Sequence, residues 1–73
     1  MAENFTIIFE PAKEGGFTSY IPEVPGAISE GETIEEAREM VLDALHEILS
    51  YRREEALRTK SAGAQVETLK ISA

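Results

Sequence analysis

The sequence has no cysteine and no tryptophan, a single histidine at His46, and only seven Lys and Arg against fourteen Asp and Glu. Without cysteine there is neither a disulfide nor a thiolate metal site, a composition compatible with a reducing cytosol. A lone imidazole, with no His-Glu-x-x-His, gives no recognisable zinc site. The net charge of minus seven repels a phosphate backbone, which argues against direct nucleic-acid binding. No apolar run is long enough to cross a bilayer, and the opening Met-Ala-Glu-Asn-Phe has neither the basic nor the apolar part of a secretory leader. A cytoplasmic protein, off the membrane, is expected. At 73 residues the expectation is one domain over 1–73, with a core so small that a partner would help complete it.

What is present is densest at residues 21–37. Pro22 and Pro25 fix their own φ and push the preceding residues toward extended backbone, while Gly26 and Gly31 tolerate positive φ where the chain must turn. Thr33 with Glu36 three residues later reads as a capping box: the Thr33 hydroxyl accepts from the Glu36 N–H and the Glu36 carboxylate reaches back to the Thr33 N–H. A helix should begin at Ile34. Upstream, Phe5, Ile7 and Phe9 alternate as one face of a strand, with Ile8 on the other. A Pro11 to Gly16 turn cluster leads to a second strand with Phe17, Ser19 and Ile21 on one side, and a short third strand is expected around Ala27, Ile28 and Ser29.

From Ile34 the period changes. Ile34, Ala37, Val41, Ala44, Leu45 and Ile48 form one helical stripe that should cover the sheet, opposite Glu35, Glu39, Asp43, His46 and Glu47. The end of this helix lies between Ser50 and Lys60; continuation to about Leu57 is expected, and a helix reaching Arg58 would be about 37 Å long, overhanging the sheet. Residues 66–71 alternate again and read as a fourth strand at a sheet edge. The expected fold is α+β, in the order β-β-β-α-β, with a three-stranded antiparallel meander, one long helix and a fourth edge strand.

No constellation of catalytic residues stands out, and no cofactor or metal is expected. A two-metal nuclease needs carboxylates converging from central strands, whereas the acids here crowd a helix flank and turns. His46 has no partner at catalytic spacing. The protein is therefore not read as an enzyme.

Taken as one phrase, Tyr20-Ile21-Pro22-Glu23-Val24-Pro25-Gly26-Ala27 followed by Ser29-Glu30-Gly31-Glu32-Thr33-Ile34-Glu35-Glu36-Ala37 resembles the HicB antitoxin family. The resemblance covers about residues 5–49, and the alternating residues 66–71 match the family's closing strand. It implies a partial RNase H-like fold without nuclease activity. It also implies that the chain binds a small basic HicA-type toxin, an mRNA-cleaving protein, and blocks its active histidine and RNA surface. Two departures stand out: Ala27 replaces a frequent cysteine, and no C-terminal DNA-binding domain is expected, so autorepression is not carried over. The expected contacts with the toxin are the acids Glu23, Glu30, Glu35, Glu39, Asp43 and Glu47. An alternative function is a free-standing homo-oligomer with no toxin. In either case a homo-oligomer, in the simplest form a dimer, is expected to use Ile8, Tyr51 and Leu57.

Overall fold

A computed structural model describes residues 4–70. Three short strands, β1 (Ile8–Pro11), β2 (Phe17–Tyr20) and β3 (Ile28–Gly31), form an antiparallel meander in the order β1-β2-β3, and one helix, α1 (Ile34–Thr59), follows. The fold is α+β with the helix laid over one face of the sheet. The helix packs chiefly on β3 and less on β2. The β1–β2 connection closes through Ala12 N–H to Gly16 O and Gly15 N–H to Ala12 O, at 3.0 and 3.1 Å.

Strand boundaries differ from those the alternation suggests. β1 starts at Ile8 and includes Pro11, which an edge strand accepts because the missing N–H can face solvent. Phe5 is left exposed, Ile7 packs against the core and Phe9 is half-buried. β3 runs one residue later than expected.

The core is supplied by the loop at residues 21–27 as much as by the sheet. Ile21, Val24 and Ala27 are buried together with Val41 of α1, and Ile7, Leu45 and Ile48 pack around them. A loop can be buried only if its polar backbone groups find partners. Here Val24 N–H donates to Ile21 O, Ala27 N–H to Val24 O and Ile21 N–H to Ala27 O, each at 3.0 Å. Gly26, at φ 94°, makes the turn that an L side chain would strain. The Pro25 carbonyl accepts from Arg52 Nη2 at 3.0 Å, tying the loop to the C-terminal half of the helix.

Helix α1 begins where the cap predicts, but the cap is wired differently. Thr33 is extended at φ −127° and its Oγ1 accepts from Glu36 N–H at 3.1 Å. The Glu36 carboxylate reaches past Thr33 and accepts from Glu32 N–H at 2.7 Å. The extended entry at Thr33 leaves the Glu32 amide, one peptide earlier, within reach of that carboxylate. Gly31 also serves a different purpose from the one expected. Its φ is not positive; what it provides is room, since a Cβ there would lie 2.5 Å from Ala37 N and 2.9 Å from Ala37 Cα. Ser19, fully buried, donates from Oγ to Ala37 O at 2.8 Å and stitches β2 to the same helical turn.

The 26-residue helix is about 39 Å long, against strands of four residues that span about 13 Å. It therefore runs well past the sheet. Its last turns are held locally, by Arg58 on Glu55 at 2.7 Å and by Thr59 Oγ1 donating to Glu55 O at 2.7 Å. The fourth strand expected at 66–71 is not formed over residues 66–70, which are exposed and unpaired; Ile71 lies outside the described residues. The overhang delivers the chain beyond the sheet, so Val66 and Leu69, 58% and 81% exposed, have no surface to bury against.

Candidate partner-binding surface

The two faces of the sheet are told apart by Ser19. Because its hydroxyl reaches Ala37 of the helix, its cross-strand partners Phe9 and Ser29 share the helix-facing side. Alternation then sends Ile8, Tyr20 and Ile28 to the open side, and with them Glu10, Thr18 and Glu30.

This geometry sorts the six expected contact acids into three places. Glu35, Glu39, Asp43 and Glu47 recur at steps of four along α1 and are all exposed. Glu39 and Asp43 sit two residues either side of the buried Val41, about 160° around the helix from it, so they occupy its outer surface. Glu30 lies on the open face of the sheet, across the full thickness of helix and sheet from those four. Glu23, in the loop, already has a partner: Thr6 N–H donates to Oε1 at 2.9 Å and the Thr6 hydroxyl to Oε2 at 2.6 Å. These two donors hold the Glu23 carboxyl below its usual value, the hydroxyl contributing most. Its charge fixes the approach to β1 against the loop, a role that no local spacing signals because the pair is 17 residues apart.

The residues expected at an oligomer interface are also dispersed. Ile8 faces the open side of the sheet, while Tyr51 and Leu57, 65% and 44% exposed, stand on the overhanging half of α1. Being six residues apart, they point about 120° away from each other. His46 is exposed on the outer surface of the helix.

On the helix-facing side, Arg38 lies over the Phe9 ring, 5.6 Å from its centroid, a cation–π contact that covers the flank of β1. Thr18 and Glu30 of the open side also join Lys13, Glu14, Glu32 and Glu36, the last in the first turn of α1, around an open depression of about 550 Å³. Among the described residues, no group of three His, Asp or Glu is arranged to hold a metal ion, and no helix is long and apolar enough to cross a membrane. The arrangement offers carboxylates and apolar side chains for contact.

Comparison with known proteins places these features in a lineage. No protein-family profile matches the chain, and no solved structure matches it. It is similar to Antitoxin HicB 1 of Photorhabdus laumondii, with 46% identity over 41 residues, covering 56% of this chain and 26% of that protein. Thus it spans about a quarter of the length of that relative. Similarity to UPF0150 protein ssl0738 of Synechocystis runs over 71 residues at 37% identity and covers 97% of this chain and 99% of the relative. UPF0150 protein ssl0259 of the same organism is 41% identical over 39 residues, 53% of each chain. With similarity over almost its whole length to a UPF0150 protein and over 41 residues to Antitoxin HicB 1, the chain belongs to the HicB-like antitoxin family.

Proposed function

We propose that this chain neutralises a small basic HicA-type mRNA-cleaving toxin by covering it in a protein–protein complex in the cytoplasm. The observation that carries this reading is the 46% identity over 41 residues with Antitoxin HicB 1, joined to a net charge of minus seven that suits a basic partner. The meander followed by a helix supports a reduced RNase H-like arrangement. Complementary charge acts mainly on association rate and on rejecting wrong partners. Co-expression with a HicA-type toxin from the same genome tests it. Restored growth, and a complex that co-purifies at low salt and loosens as salt rises, are the expected results; no rescue and no co-purification would overturn the reading.

A homodimer with no toxin is the second reading, favoured by the exposure of Leu49, Tyr51 and Leu57 on α1. Sedimentation equilibrium separates the two. A strict monomer at high concentration eliminates the dimer.

A further inference from the structure

The open face of the sheet is organised by strand register rather than by any run of sequence. Ile8, Tyr20 and Ile28 are cross-strand partners on three successive strands, so their side chains form one apolar row across the whole sheet. Ile28 is 58% exposed and the other two are half-buried. The next row on this face is Glu10, Thr18 and Glu30, and the depression shared by Thr18 and Glu30 is lined by three further glutamates, Glu14, Glu32 and Glu36, against one lysine, Lys13.

We propose that this open face, and not the outer surface of α1, is where the partner docks, and that the partner is a basic protein presenting an apolar ridge flanked by Lys or Arg. The inference rests on the antitoxin reading above and names the surface it uses. The Ile8–Tyr20–Ile28 row supplies the desolvated centre that an interface needs, and the acid row and depression beside it receive cations at the rim. A second copy of this chain fits poorly. Each copy carries a net charge of minus seven, and three of its arginines are already engaged, Arg38 on Phe9, Arg52 on Pro25 O and Arg58 on Glu55. The acids on the outer helix face the opposite way and act on the partner only by long-range attraction.

The test measures binding of the full chain to a catalytically inactive HicA-type toxin from the same genome. Ile28→Glu weakens binding by about 30-fold or more, as expected at the centre of an interface. Glu30→Lys weakens it by about tenfold, mostly through slower association. The pair Glu39→Lys and Asp43→Lys changes it by less than about threefold at physiological salt, where distant exposed charges are largely screened. Ile28 and Glu30 are exposed, so circular dichroism should find each variant folded like the parent. Binding that survives both open-face changes but is lost with the helix pair overturns this inference and leaves the antitoxin reading standing. A parent chain that does not bind overturns both. Ile28→Glu that dissolves a self-associated form while toxin binding is retained also overturns it, in favour of a second copy on this face.

Discussion

The loop at residues 21–27 and the tail at residues 61–70 both lack regular secondary structure, yet one is the centre of the core and the other is exposed throughout. Their compositions do not explain this, for each carries apolar side chains. The difference is position along α1. The loop lies under the middle of the helix, closes its own hydrogen bonds and is tied to Arg52. The tail begins after the helix has left the sheet. Burial in this molecule is decided by which stretch the helix passes over, and irregular backbone is no obstacle once its amides are satisfied.

That contrast can be broken or sharpened by substitution. The largest effect is expected at the anchored start of the helix, where Gly31→Ala sets a methyl against the Ala37 backbone and costs about 3 kcal/mol, seen as a lowered urea midpoint. In the loop, Val24→Ala removes buried methyl groups and costs about 2 kcal/mol by the same measurement. Thr33→Ala takes away the hydroxyl that accepts from Glu36 N–H and costs about 1 kcal/mol, read as a lower thermal midpoint.

A pH effect comes next. The Glu23 carboxyl is held below its usual value by Thr6, so its contribution is full above the ordinary carboxylate range and is lost as pH falls through the depressed value. Glu23→Gln should therefore lower stability at neutral pH and converge with the parent in acid, a comparison made by thermal melts across the acid limb. Smallest of all is Leu69→Ala in the tail, where 81% exposure predicts a change within about 0.5 kcal/mol. A larger loss at Leu69 would mean that the tail is buried in solution and would erase the contrast.

The helix was legible from the sequence because its signals are local: the stripe from Ile34 to Ile48 and the Thr33 cap depend on spacings of three and four. The loop's role was not legible. Ile21, Val24 and Ala27 recur every third residue among prolines and a glycine, a pattern that belongs to neither helix nor strand and reads as a turn. The tail illustrates the converse, since alternation at 66–71 is a sound local signal for a strand, but a strand exists only where an edge receives it. The candidate surface was half legible. Glutamates announce an acidic protein, whereas the register that puts Glu30 on one side of the sheet and Glu39 on the other is a tertiary fact. The row of Ile8, Tyr20 and Ile28 joins residues twelve and eight positions apart and has no sequence signature.

The contact at Gly31 has a further consequence for how this chain can vary. The atoms that a side chain at position 31 would strike are Ala37 N, Ala37 Cα and the carbonyl carbon of Glu36, all of them main chain. Every amino acid at positions 36 and 37 carries those same atoms, so no exchange of a neighbouring side chain removes the collision. A screen for second-site suppressors of Gly31→Ala should recover none at those two positions, and only true revertants or changes that reposition the whole helix should survive.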